Sequence, residues 1–308
     1  MKLVTVGTVA FDRIETPFGK AEKTVGGAAT YISLAASFFL ERQGIVSVVG
    51  GDFPQDMMDQ LAGRGIDQAG LEVLRDKESF YWSGRYHYDM NTRDTLETRL
   101  NVLQDLDPVL NATYRKAPYL MLGNLDPKVQ AKVLDQMEAP AMVVLDTMNF
   151  WMDSAMDELK QVIKRVHILT INDSEARQLS GEHSLVKAAH AILAMGPKYL
   201  VVKKGEHGAL LFSKDRVFFA PALPLEDIID PTGAGDTFAG GFIGYLARSG
   251  DHGFNNLKRA IIVGSALASF CCEKFGVQRL LEIDRTDIDA RINQFIELVD
   301  FDIEVVQG

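Results

Sequence analysis

Asp230-Pro231-Thr232-Gly233-Ala234-Gly235-Asp236-Thr237-Phe238-Ala239-Gly240-Gly241-Phe242 runs a turn of small residues straight into an apolar helical pattern. Gly233 and Gly235 keep side chains away from whatever the turn faces and allow backbone angles closed to other residues. The amides of a first helical turn lack intrahelical partners, so this turn is a natural anion cradle. Asp236 is the discordant residue, because a phosphate held here would repel its carboxylate. Two roles fit it. As an N-cap it accepts from amides of the helix that follows. As a general base it takes the proton of a hydroxyl that attacks the held phosphate. For an isolated Asp the cap is the commoner role, so the rest of the chain has to decide.

A chain of 308 residues is long enough for one large α/β domain or two small domains. With 47% hydrophobic and 24% charged residues it has the composition of an ordinary soluble globular protein. Its net charge of -10 argues against a nucleic-acid partner bound through phosphate neutralisation. The two cysteines, Cys271 and Cys272, are adjacent within an apolar helical pattern, unlike a disulfide framework or a zinc site. A reducing, cytoplasmic setting is the expectation. Met1 to Gly7 is too short a run, interrupted by Gly7 and then Asp12, to read as a secretory signal, and no apolar run is long enough to span a bilayer.

Leu3 to Val6 reads as a buried first strand ending at Gly7, with Asp12 just beyond its carboxyl end, where open α/β sheets bind ligands. Residues Arg13 to Val25, with Pro17-Phe18-Gly19 as a turn signal, suggest a small hairpin. Gly26-Gly27 opens a helix predicted over Ala28 to Arg42, followed by a strand over Ile45 to Val49 and a helix over Met57 to Gly65. Ser79 to Leu103 differs: Tyr81, Trp82, Tyr86 and Tyr88 stand among Arg85, Arg93 and Arg99, partly alternating with period two. Such a segment is a surface sheet with one aromatic face, or a lid over an organic ligand. Paired with the earlier hairpin it gives a small sheet over about residues 13–25 and 76–103, which also invites a second copy of the chain. From Tyr119 onward strands alternate with helices, which predicts a doubly wound, mainly parallel sheet with helices on both faces, within a single domain over 1–308.

Asp12, Asn124, Asp126, Asp146, Asn149, Asn172, Glu175 and Lys204 each follow a predicted strand. Any one of them is an unremarkable loop residue. In a parallel sheet, however, these strand ends share one edge, and their recurrence favours a site there. No Gly-x-x-x-x-Gly-Lys-Ser/Thr, no Gly-x-Gly-x-x-Gly after the first strand, no Gly-x-Ser-x-Gly and no His-Glu-x-x-His occurs. An anion loop with an acid, scattered acids and amides, and an aromatic sheet suit phosphoryl transfer better than hydrolysis or hydride transfer.

Asp230 to Phe238 resembles the C-terminal signature of the ribokinase-like (PfkB-type) carbohydrate kinases. Gly7 with Asp12, Gly26-Gly27, Val48-Val49-Gly50-Gly51-Asp52, Asn172-Asp173-Ser174-Glu175 and Val202-Lys203-Lys204-Gly205-Glu206-His207-Gly208 agree with that family in order and spacing from about Leu3 to Val299. The resemblance implies Asp236 as catalytic base for a primary hydroxyl and Gly233, Ala234 and Gly235 as the anion hole. It implies that Asp12, Gly26, Gly27, Tyr31 and Asn124 hold the acceptor, and that Asn172, Thr232, Lys204, Gly205 and Gly208 lie on the ATP side. Asn172 and Glu175 would organise Mg2+ largely through water, and Asp230 with the Phe275-Gly276-Val277 loop would take K+. Tyr31 departs from the family, where Asn is usual, and reads either as a helix-surface aromatic or as a ring against the ligand. Asp173 adds a second acid, which would make the metal site more negative.

An ATP-dependent kinase of a sugar's primary hydroxyl leads these readings, with an adenosine-like nucleoside kinase as the alternative and a phosphosugar kinase behind them. A catalytically silent binding regulator is disfavoured by the intact Asp236 and anion loop. The implied partners are a small sugar or nucleoside and a second copy of the chain through the small sheet, with no nucleic acid and no membrane.

Overall fold

The structure, a computed structural model, describes residues 1–300. In chain order its strands are β1 (Leu3–Val6), β2 (Ala10–Thr16), β3 (Gly19–Gly26), β4 (Gln43–Gly50), β5 (Ile66–Leu74), β6 (Phe80–Tyr86), β7 (Arg93–Arg99), β8 (Tyr119–Leu122), β9 (Met142–Asp146), β10 (Ile168–Asn172), β11 (Tyr199–Lys203), β12 (Ala209–Phe212) and β13 (Val217–Ala220). The helices are α1 (Ala28–Ser37), α2 (Gln55–Gly63), α3 (Ala112–Arg115), α4 (Pro127–Gln136), α5 (Asn149–Ser154), α6 (Met156–Ile163), α7 (Asp173–Ser180), α8 (Leu185–Leu193), α9 (Ala234–Ser249), α10 (Phe254–Cys271), α11 (Gln278–Glu282) and α12 (Arg285–Val299).

Two sheets result: a nine-stranded one ordered β13-β12-β11-β10-β9-β8-β1-β4-β5 and a four-stranded one ordered β3-β2-β6-β7. Within the large sheet only β12 and β13 run antiparallel to their neighbours. Its central strands are buried throughout, as a sheet covered on both faces requires. Their side chains alternate between two apolar cores. Leu3, Met121 and Val144 pack with Ile32, Phe242 and Ile261 of α1, α9 and α10 on one face. Val4, Leu120 and Val143 pack with Leu134, Leu159 and Leu179 of α4, α6 and α7 on the other. The arrangement is the expected α/β sheet with helices on both faces, plus a separate small sheet. Among the described residues no helix is long and apolar enough to cross a membrane.

Three expectations change. Helix α1 stops at Ser37 rather than Arg42, because residues 38–42 turn the chain back to the sheet and Gln43, its side chain donating to Ser33 O at 2.7 Å, already begins β4. Asp12 is not in the loop after β1 but inside β2, opposite Thr24 of β3 and Trp82 of β6. Helix α9 begins at Ala234, inside the turn of small residues that the sequence reading placed ahead of the helical pattern. Glycines let α9 lie tight on α1: a methyl group at Gly240 would stand 2.3 Å from Ile32 O, and one at Gly244 would stand 2.8 Å from Ala36 Cα. That close contact fixes where the first turn of α9 points.

Candidate active site

The turn before α9 is built on Gly233, whose φ of 76° lies in the left-handed region that favours glycine. A methyl group there would also stand 2.4 Å from the Tyr31 ring. Gly233, not Asp236, is the N-cap, so the capping role weighed for Asp236 does not hold; that carboxyl occupies the third helical position. Ala234 N donates to Pro231 O at 3.2 Å and Thr237 N to Gly233 O at 2.8 Å. The amides of Gly235 and Asp236, between them, are those that a helix start leaves without backbone acceptors. Asp230 holds the turn from behind: its carboxylate accepts from Thr232 N at 2.8 Å and from Gly276 N at 3.0 Å. The two segments expected to share a monovalent cation therefore meet.

Asp236 has partial access to the cleft, yet desolvation pushes its pKa up to about 7, the nearby Asp146 carboxylate adds to the rise, and Lys203 and Arg93 oppose it. Asp12 faces the same space from β2, next to a bulge where the ladder with β3 shifts register. A methyl group at Gly26 would stand 1.8 Å from its Oδ2, so Gly26 is the residue that makes room for this acid. Burial, then the Asp230 and Asp236 carboxylates, push Asp12 up to about 8, against the pull of a hydrogen bond from the Gly27 backbone. Tyr31 lies between these groups. It is 1% exposed, backs Gly233 with its ring, and its buried hydroxyl has no protein partner. The helix-surface reading of Tyr31 is overturned.

Asn172 and Glu175 close a capping box at the start of α7: Glu175 N donates to Asn172 Oδ1 at 2.8 Å, and Asn172 N to Glu175 Oε2 at 2.7 Å. Burial pushes Glu175 up to about 7, with Lys203 opposing. One carboxylate oxygen of Glu175 remains outside the box. Among the described residues no cluster of three or more His, Cys, Asp or Glu could hold a metal ion by itself. This donor set fits a hydrated Mg2+ shared with phosphates and does not fit a dehydrated cage. Asp173 adds nothing to it, contrary to expectation, because its carboxylate accepts from Arg177 one turn on at 2.6 Å.

The small sheet reaches over this floor. Ile14, Tyr86 and Met90 pack with Ile228 and Phe275, and Thr232 Oγ1 donates to Tyr86 Oη at 3.2 Å. In the β6–β7 turn, Asn91 lies where a methyl group on Gly205 would meet its Oδ1 at 2.1 Å. Lys204 N donates to Gly208 O at 2.8 Å, closing the loop between β11 and β12.

Other strand-end groups are spent elsewhere. Asn124 donates to Met148 Sδ at 3.0 Å and accepts from Trp151 Nε1 at 2.8 Å. Asp126 caps α4 through Lys128 N, and Asn149 donates to Gln178. Sequence reasoning missed Lys203, whose Nζ stands 2.5 Å from Asp146 Oδ2. Its only signal was a cation at the end of a buried apolar strand.

The model of the pfkB family of carbohydrate kinases matches residues 2–284. The chain is similar to a cytidine kinase of Thermococcus kodakarensis, 29% identical over 253 residues that cover 80% of this chain and 89% of that protein. It is also similar to a nucleoside kinase of Methanothermobacter thermautotrophicus, 27% identical over 306 residues, covering 90% of this chain and 91% of that one. In fold it matches a candidate ribokinase II of E. coli solved with ATP and Mg2+, with a TM-score of 0.76 at 21% identity over 95% of this chain and 99% of the other.

Proposed function

This chain belongs to the pfkB family of carbohydrate kinases, and from that premise we propose that it transfers the terminal phosphoryl group of ATP to the primary hydroxyl of a nucleoside. The kinase reading is carried by one observation: a carboxyl with its pKa pushed up to about 7 sits on the same helical turn as unpaired amides. The nucleoside is favoured by the two relatives, a cytidine kinase and a nucleoside kinase, each aligned over at least 80% of this chain. A free sugar is the second reading, because Asp12 beside Gly26-Gly27 would hold the hydroxyls of either.

Asp236 takes the hydroxyl proton as the oxygen attacks, and the Gly233-Ala234-Gly235 turn receives the charge that develops on the phosphoryl oxygens. Asp12, Gly26, Gly27 and Tyr31 face the acceptor. Asn124 is left out of that set, since both ends of its amide are held by Met148 and Trp151. Lys204, Gly205, Gly208 and Thr232 line the ATP side, with Asn172 and Glu175 orienting the waters of Mg2+. That ion, when bound, neutralises phosphate charge. The small sheet acts as a lid that keeps water from competing for the phosphoryl group.

Two further parts belong to the proposal. K+ binds at Asp230 and the 275–277 loop, checked by turnover in K+ against Na+. Two copies pair through the small sheet, whose outer strand β7 is exposed along its whole length, checked by solution mass. The deciding experiment measures ATP consumption over cytidine, adenosine, other nucleosides, ribose and related sugars. Turnover with nucleosides is expected; turnover with sugars alone moves the assignment to the second reading, and none with any acceptor removes the kinase reading.

A further inference from the structure

Lys203 closes β11 opposite Asn172 in register, so its side chain leaves the sheet beside the capping box of α7. Its ammonium is largely buried and bonded to Asp146 at 2.5 Å, and Asp146 is itself fixed by Thr170 Oγ1 donating at 3.0 Å. Among the described residues that carboxylate is its single side-chain acceptor. An ammonium carries three donors, so two remain unspent. The Nζ atom also stands 3.2 Å from where a methyl group on Gly235 would be, beside the first turn of α9.

Placing a cation against the positive end of a helix is unfavourable, and more so out of water. The arrangement becomes favourable when an anion lies between ammonium and amides, because both then point at it. Burial alone would lower the Lys203 pKa, but the Asp146, Glu175 and Asp236 carboxylates outweigh it, and the amine stays protonated.

We propose that Lys203 is a catalytic residue that binds the transferring phosphoryl group from the side facing the Gly233–Gly235 turn, and that Asp146 is the positioning residue that aims it. The inference rests on the kinase reading above. In the step, the acceptor oxygen forms a bond to the γ-phosphorus while the bond from that phosphorus to the β–γ bridging oxygen breaks. The bond's electron pair leaves with ADP, and the hydroxyl proton goes to Asp236. Lys203 neither gains nor loses a proton. It stabilises charge on the oxygens in flight, as a preorganised donor does.

The test compares wild type with Lys203→Met and with the double variant Lys203→Gln/Asp146→Asn, which removes both charges and retains a hydrogen-bonding pair. Thermal midpoints establish folding; should the single variant not fold for want of a partner for Asp146, the double variant carries the test. Turnover is expected to fall by about 10²-fold or more in both, the size seen when one such donor is lost. MgATP affinity, measured without acceptor, is expected to fall roughly tenfold more than MgADP affinity, because only ATP carries the group Lys203 touches. Turnover within threefold of wild type in the double variant shows that Lys203 only neutralises Asp146 and overturns the proposal. So does an equal loss of MgATP and MgADP affinity. The affinity ratio needs no turnover: a wild type that binds MgATP but phosphorylates no acceptor overturns the kinase reading and leaves the Lys203 contact to be decided by that ratio. A wild type that binds neither nucleotide removes both.

Discussion

Asp236 occupies the third position of α9, where the helix's positive end favours a carboxylate while desolvation and Asp146 oppose its charge. Replacing it with Asn keeps the shape and removes the base. Turnover in Asp236→Asn is expected to drop by at least about 10²-fold with MgATP affinity retained; near wild-type turnover would take the residue out of the proton transfer. Only the ionised carboxylate accepts a proton, so wild-type kcat should decline as pH falls below about 7. Tyr31 offers a second test. Tyr31→Phe deletes a buried hydroxyl that has no protein partner, so the thermal midpoint should hold or rise. If that hydroxyl serves the acceptor, the acceptor's KM rises several-fold while that of ATP does not, as steady-state kinetics with each substrate varied would show. The signature around Asp236 was legible because its glycines and acid are consecutive. The burial of Tyr31 was not, because it depends on a loop some two hundred residues downstream folding over the ring.

At the scale of elements, the alternation of strands and helices expected from Tyr119 onward is what the chain forms from β8 to β11, since each strand is a short apolar run with no competing helical period. The end of α1 was misread for the opposite reason. Phe39 and Leu40 continue its apolar spacing and are buried, but they line a turn, and periodicity cannot separate the two. Lys203 escaped notice because its partner Asp146 ends a different strand, and only the β9–β10–β11 pairing brings the two together. The small sheet supplies another cation. Arg93 heads the exposed strand β7, lies 6.0 Å from the Trp82 ring, and is close enough to Asp236 and Glu175 to favour their ionised forms. Among the described residues it forms no ion pair, so its removal disturbs little else. Arg93→Ala is expected to change stability by no more than about 0.5 kcal/mol. If the sheet closes over bound phosphates, kcat/KM should fall roughly tenfold in that variant, the loss of one charge-assisted contact. Unchanged kcat/KM with unchanged stability would mean that Arg93 stays in solvent throughout the cycle.

For the molecule as a whole, three acids gathered from distant segments have their pKa values pushed up, Asp12 to about 8 and Glu175 and Asp236 to about 7, each first by desolvation. An unfolded Asp releases its proton near 3.8, whereas folded Asp12 holds it to about 8. Between those values the native state binds more protons than the unfolded chain, so this group's contribution is fully present below pH 3.8 and is lost as pH rises toward 8. Glu175 and Asp236 act with the same sign up to about 7. Asp67, whose pKa is lowered first by a hydrogen bond from Arg42, acts oppositely and weakens the fold only in stronger acid. The free protein should therefore be most stable at about pH 4 and lose stability toward pH 8, against the usual rise toward neutrality. Asp12→Asn keeps an acceptor for the Gly27 backbone and cannot ionise. Its thermal midpoint should match wild type near pH 3.8 and exceed it by a growing margin toward pH 8. Thermal scans of both proteins across that range check this; a variant less stable than wild type at pH 8 would show that the charged Asp12 is held by favourable contacts that outweigh its burial.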